Sequence, residues 1–151
     1  MIQRIQTVYL VFIAALTALV ISFPIMEIIS GEGVFYKVTV LGAYVDESLE
    51  YSVWTLLALC ISTILIALTT VLLFKNRMLQ IRLCVFNILL IIGFYAMLEV
   101  YYYLLKERFS AEVIQLKWTV VLPAINIILT YLSIRAIGRD EALVMATRRL
   151  R

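Results

Sequence analysis

Four long runs of apolar residues dominate the chain, and nearly all of its charges lie in the short gaps between them. Each run is close to the ~20 residues that a helix needs to cross a bilayer. The pattern therefore predicts an all-α fold, a four-helix transmembrane bundle, with residues 1–151 as a single membrane domain. The predicted helices cover residues 5–23, 52–74, 83–104 and 118–137.

The connections between the second, third and fourth runs are short, which makes these three helices antiparallel neighbours. Only residues 24–51 form a sizeable segment outside the runs. Within it, β-branched and aromatic residues fill 34–41, glycines flank that stretch, and residues 43–45 form a second short stretch of the same kind. This pattern predicts a short β-hairpin between the first two helices. Pro24 ends the first helix, because it lacks a backbone N–H and restricts the residue before it.

Composition excludes a soluble globular domain. Hydrophobic residues make up 64% of the chain and charged residues 15%, whereas soluble domains have roughly 45–50% and about 25%. The net charge of +3 is too small to indicate nucleic-acid binding. The chain has no histidine, the commonest metal ligand and general base. It also lacks a glycine-rich phosphate loop, a serine elbow and a Cys-x-x-Cys motif, so we expect no catalytic residue, cofactor or metal site.

The distribution of cationic residues predicts how the bundle is oriented. If the N-terminus is cytoplasmic, nine of the thirteen Lys and Arg residues lie on the cytoplasmic side. The connection over residues 24–51 lies on the opposite side and is rich in acidic residues. This asymmetry follows the positive-inside rule. We therefore expect both termini in the cytoplasm, including a tail over residues 138–151.

Glu99 is the one carboxylate inside a predicted span. A carboxylate there costs a few kcal/mol unless it is paired, solvated or neutralised. Asn126 and Thr17 fall at a similar depth, and the side chain of Lys117 is long enough to extend down from the membrane edge. Two interpretations stay open: a proton or ligand site, and a structural clasp between helices. Pro123, three residues before Asn126, is compatible with a kink or a notch for a partner, and equally with an ordinary spanning helix in which proline has no functional role.

Basic residues form two further candidate contacts, with anionic lipid headgroups or with a partner. One is the turn between the second and third helices, and the other is the C-terminal tail. In the tail, Leu143, Ala146 and Leu150 recur at roughly helical spacing, which predicts a short helix lying on the membrane surface. The candidate residues are Lys75, Arg77, Arg82, Arg148, Arg149 and Arg151.

Three parts of the chain carry a resemblance to a known family: Met1–Thr7, Phe74–Arg77 with Leu79–Cys84, and Arg139–Val144 with Leu150–Arg151. With them the chain resembles the small four-helix inner-membrane proteins of Bacteroidota that are known only as a domain of unknown function. The resemblance covers the whole chain. It implies a bacterial inner-membrane location and a topology, but no activity, cofactor or catalytic residue. Met145 and Arg148 stand where a basic and an acidic residue are expected, so a charge pair in the tail is not required.

Three surfaces are left for recognition: the predicted hairpin, the basic turn and the basic tail. Without catalytic residues, they favour a non-enzymatic accessory or structural subunit of a larger membrane complex. Its partner would be a larger membrane protein or further copies of the chain. The alternative hypothesis is a small transporter or channel component that uses Glu99. A membrane enzyme is the third hypothesis, and a cofactor or lipid substrate bound beside Glu99 would support it.

Overall fold

A computed structural model of the chain describes residues 3–31, 33–45, 48–73 and 76–149. Within these residues there are four α-helices: α1 Gln3–Ser22, α2 Trp54–Leu72, α3 Arg77–Arg108 and α4 Leu122–Arg149. All four are long and apolar enough to cross a membrane. The four predicted helices are therefore confirmed as helices, and α3 and α4 extend well beyond their predicted bounds.

The helices form an antiparallel bundle in which each packs along two others. α1 contacts α2 and α4, and α3 contacts the same two helices. We call the end where α1 and α3 terminate the sheet end, and the opposite end the tail end. Two clusters of buried side chains fill the bundle: one towards the sheet end, with Cys60 and Phe94, and one towards the tail end, with Leu10, Cys84 and Ile137.

The bundle has a polarity that suits a lipid environment. Large apolar side chains on its outer surface, such as Phe12, Leu65 and Ile128, are more than half exposed. Many polar side chains lie inside instead, whereas a water-soluble helix turns its apolar side inward and its polar side outward. This arrangement is compatible with a location in a membrane. Among the described residues of the four α-helices, the buried polar ones are Gln6, Thr17, Thr63, Thr70, Gln80, Asn87, Asn126, Thr130 and Ser133.

Five antiparallel strands form a sheet at the sheet end, in the order β4-β3-β2-β1-β5. They are β1 Met26–Ser30, β2 Phe35–Val38, β3 Gly42–Val45, β4 Ser48–Ser52 and β5 Ala111–Leu116. The predicted hairpin is present as the antiparallel pair of β2 and β3. The all-α prediction is therefore correct only for the bundle. An isolated two-stranded hairpin is marginally stable in water, and three further strands extend this hairpin into a sheet.

One face of the sheet closes the end of the bundle. Met26 and Ile28 of β1 are buried in the same cluster as side chains from the helices. The end of α3 lies beside the sheet, where Phe109 stacks on Tyr36 with ring centroids 4.0 Å apart. The carbonyl oxygen of Phe109 accepts a hydrogen bond from Ser30 Oγ at 2.8 Å. These contacts fix the sheet to the bundle.

The tail is not a separate surface helix within the described residues. α4 continues from Leu122 through Gly138 to Arg149 without a break. Nothing lies within 4 Å of a Cβ added at Gly138, so neither a turn nor a close contact requires glycine there. The predicted helix on the membrane surface is therefore replaced by an extension of α4.

Pro123 lies in the first turn of α4, directly after a 3₁₀ helix over Trp118–Val121. Proline is tolerated in the first turn of a helix, because the N–H that it lacks has no partner within the helix there. The residue therefore helps to begin α4, which differs from a kink within the fourth helix.

Candidate functional site

The structure does not bring Glu99, Asn126 and Lys117 together. Buried positions of α3 recur at helical spacing through Tyr101, and Glu99 falls between them on the outer surface. The hydroxyl of Tyr101 donates to Thr55 Oγ1 at 3.1 Å, which places this part of α3 beside the first turn of α2. Within the described residues, the carboxylate of Glu99 forms no ion pair.

Asn126 links α4 to α1 inside the bundle. Its Nδ2 donates to Thr17 Oγ1 at 2.9 Å, and the Thr17 hydroxyl donates to the carbonyl oxygen of Ile13 at 2.8 Å. Asn126 is 1% exposed and Thr17 4%. The clasp between helices is thus formed by this pair, and Glu99 has no part in it. The Oδ1 of Asn126 has no hydrogen-bond partner among the described residues.

Lys117 pairs within the sheet end and does not extend into the bundle. Its Nζ lies 2.7 Å from Oε2 of Glu27 in β1, and its backbone N–H donates to the carbonyl oxygen of Ile25 at 2.8 Å. The next residue, Trp118, packs against Phe23 with ring centroids 5.5 Å apart. A pair as exposed as Lys117 and Glu27 contributes about 0.2–1 kcal/mol. Its main effect is to position the chain that enters α4.

Asn87 of α3 is a buried polar residue that did not enter the predicted site. Neither polar atom of its side chain has a hydrogen-bond partner among the described residues, although it is only 1% exposed. The sequence carries a signal for its inward position. Asn87 lies three residues after Cys84 and four before Ile91, and this spacing puts all three side chains on one helical face.

Arg77 joins α3 to α4 at the tail end. Its Nη1 donates to the carbonyl oxygen of Asp140 at 2.8 Å, and its Nη2 lies 3.2 Å from Oδ2 of the same residue. The predicted lipid contact Arg77 is therefore engaged by the protein. Arg82, Arg135 and Arg139 are exposed at this end. The other predicted contacts lie outside the described residues: Lys75 and Arg151 entirely, and Arg148 and Arg149 in their side chains.

The face of the sheet that points away from the bundle carries a row of apolar side chains. Ile29 of β1 is paired with Phe35 of β2 on one side and with Val113 of β5 on the other. Residues directly opposite each other have Cβ atoms about 4.5–5.5 Å apart on one face. Phe35 is 67% exposed and Val113 45%. We call Phe35, Ile29 and Val113 the outer row; it is a candidate contact surface.

Comparison with known proteins supplies a family. Within the described residues, no group of three or more His, Cys, Asp or Glu side chains is placed to hold a metal ion. No curated protein matches the chain. The family model described as Domain of unknown function (DUF4293) matches residues 2–150, which include the bundle and every strand of the sheet. The chain therefore belongs to the DUF4293 family.

Proposed function

We propose that this protein is a non-enzymatic subunit of a larger membrane complex and that it acts by contact through its sheet. The outer row carries this proposal. A side chain as large as Phe35 is left two-thirds exposed, at 67%, on a sheet that is fixed rigidly to the bundle. Adjacent exposed apolar side chains mark contact surfaces, and aromatic residues are enriched in them. The partner is a larger membrane protein or a second copy of the chain.

In the proposed orientation both termini are cytoplasmic and the sheet is periplasmic, in the bacterial inner membrane. The exposed Arg82, Arg135 and Arg139 at the tail end support this orientation under the positive-inside rule. Exposed tryptophans support the position of the other interface. Trp54 and Trp118, 67% and 59% exposed, lie at the sheet end, where aromatic rings suit the boundary between lipid and water.

The placement of Glu99 does not favour the alternative role in transport. A path for ions or protons runs through the interior of a bundle, and polar residues in such a path face inward. Glu99 is on the outer surface of α3, at the level of the first turn of α2, where Trp54 is exposed. The carboxylate is thus close to the interface at which water and headgroups solvate it.

Substitutions in the outer row test the proposed contact. We expect Phe35→Ser and Val113→Ser to abolish a native-size complex while the protein stays folded, because both side chains are exposed. Leu41→Ser is the matched control, since Leu41 is 46% exposed in the turn between β2 and β3 but lies outside the outer row. The measurement is native gel electrophoresis and mass spectrometry after mild-detergent extraction. Recovery of wild type as free protein alone, from crosslinked native membranes, contradicts the proposal.

The same orientation predicts a difference between two arginines. Each basic residue near an anionic membrane surface contributes about 1 kcal/mol to lipid binding, or about fivefold in affinity. We expect Arg82→Gln to lower the amount of anionic lipid retained in nanodiscs by about this factor. Arg77→Gln is expected to change lipid retention little and stability more, because Arg77 binds Asp140. Native mass spectrometry measures the lipid, and equal losses in the two variants contradict the assignment.

A further inference from the structure

A narrow cavity lies between the four helices in the sheet-end half of the bundle. Thr17 of α1, Cys60 and Thr63 of α2, Phe94 of α3 and Asn126 of α4 contribute to its wall. Its interior is close to the minimum space that one buried water molecule requires. The enclosed part of the cavity therefore suits a single small molecule such as water.

The wall of this cavity is largely apolar, and one of its residues, Asn126, carries a hydrogen-bond acceptor that lacks a donor among the described residues. Asn126 Oδ1 has no partner among the described residues, although Asn126 is 1% exposed. Thr17 cannot supply the missing hydrogen, because its hydroxyl hydrogen is donated to the carbonyl oxygen of Ile13 at 2.8 Å. The Nδ2 of Asn126 donates a hydrogen bond to Thr17 Oγ1, and this bond fixes the orientation of the amide. A buried acceptor without a donor is unfavourable, because it has lost its hydrogen bond to water without gaining another.

We propose that this cavity is a specific site for one water molecule. The water donates a hydrogen bond to Asn126 Oδ1 and uses the Thr63 hydroxyl as its second partner. The residues that form the wall include no carboxylate, so the site lacks the charge that would favour a metal cation. An apolar occupant would leave Oδ1 without a donor. The bound water links the α1–α4 pair to α2, a role that is independent of the proposed contact through the sheet.

The chain contains its own reporter for this site and a matched control. Cys60 belongs to the wall of the cavity, whereas Cys84 lies in the tail-end cluster with Leu10 and Ile137. Both thiols are free, and they are similarly buried, at 3% and 1% exposure. A thiol beside a bound water exchanges its hydrogen with that water, whereas a thiol in a dry cluster exchanges only when the bundle opens.

The experiment compares the two single-cysteine proteins, Cys84→Ala and Cys60→Ala, in lipid vesicles transferred to D₂O. Infrared spectroscopy follows the loss of the S–H stretching band. We expect the Cys60 thiol to exchange at least about tenfold faster than the Cys84 thiol, because opening of the bundle limits only the second. Equal rates would show that the cavity is dry, and they would overturn the proposal.

Two substitutions in the Cys84→Ala background test whether Asn126 and Thr63 hold the water. Asn126→Leu removes the acceptor and should slow exchange at Cys60 to the rate of Cys84. Thr63→Val removes the second partner with little change in shape; it should also slow exchange, and it serves as the test if the leucine variant does not fold. Fast exchange at Cys60 that persists in the folded variants would also overturn the proposal.

Discussion

Replacing Asn87 with leucine is expected to stabilise the bundle by about 1–3 kcal/mol, the cost of a buried polar group without a partner. Both polar atoms of Asn87 lack a hydrogen-bond partner among the described residues, and the residue is 1% exposed. Leucine has a similar branched shape, so it should fill the same space without strong overpacking. Thermal unfolding in detergent and in lipid vesicles measures the change.

Asn126→Leu is the matched control for this prediction. It makes the same chemical change on α4, but it removes the hydrogen bond from Asn126 Nδ2 to Thr17 Oγ1. Hydrogen bonds between membrane helices contribute about 0.6 kcal/mol on average, and the proposed water satisfies Asn126 Oδ1, so we expect the control to be neutral or destabilising. Loss of stability in Asn87→Leu would contradict the prediction and would show that Asn87 has a polar partner in the membrane.

Gly42→Ala is expected to destabilise the sheet by about 1–3 kcal/mol, as overpacking of a close contact does. A Cβ at Gly42 would lie 2.7 Å from the carbonyl oxygen of Tyr51 and would collide with the side chain of Leu49. The carbonyl belongs to β4, which pairs with β3 through Gly42 and Ser52. Because the backbone carbonyl of Tyr51 cannot rotate out of the way as a side chain can, we expect β4 to detach from β3. Limited proteolysis between β3 and α2, together with thermal unfolding, measures the effect.

Gly93→Ala provides the control, because nothing lies within 4 Å of a Cβ added at Gly93 in α3. Alanine within a helix is more favourable than glycine by roughly 0.5–1 kcal/mol. The two substitutions should therefore change the free energy of unfolding in opposite directions. The same sign for both would mean that the contact between Gly42 and β4 does not limit the stability of the sheet.

The helices could be predicted because each is encoded locally, by an unbroken apolar run of the length of a bilayer. Their ends were harder to predict. α3 begins at Arg77 and ends at Arg108, since charged residues continue a helix into water as readily as apolar ones. Ser110, just beyond its end, has a φ of 45°. This conformation usually belongs to glycine at the end of a helix, so the sequence showed no stop.

The sheet was only partly predictable, because one of its four strand pairings, that of β1 with β5, is not local. β2 and β3 are neighbours in sequence and carry glycine signals, whereas β5 reaches β1 from the other side of two helices. The alternation of exposed and half-buried positions in β5 is weak, and Val113 and Ile114 were its one local signal. A partner so distant in sequence leaves no trace in a local pattern.

The polar site was predicted from depth alone, and depth was insufficient. Glu99 and Asn126 fall at similar distances along their helices, but their angles around the helix axes differ. Asn126 follows Leu122 by four residues, and both are buried, whereas Glu99 directly follows the buried Leu98 and is turned outward. The position of a residue around the helix axis shows which side chains face inward. Asn126 and Thr17 both face inward, so they can pair, whereas depth alone does not separate them from Glu99.

α3 also connects the two ends of the bundle as one continuous helix. Its 32 residues make a rod of roughly 48 Å, at ~1.5 Å per residue, longer than the about 40–45 Å of a bilayer with its headgroups. Polar contacts hold both ends of the helix. Arg77 forms an ion pair with Asp140 at one end, and at the other the carbonyl oxygen of Phe109 accepts a hydrogen bond from Ser30. A shift of the sheet would therefore be transmitted to the tail end along one continuous helix, without a break in α3 between the two contacts.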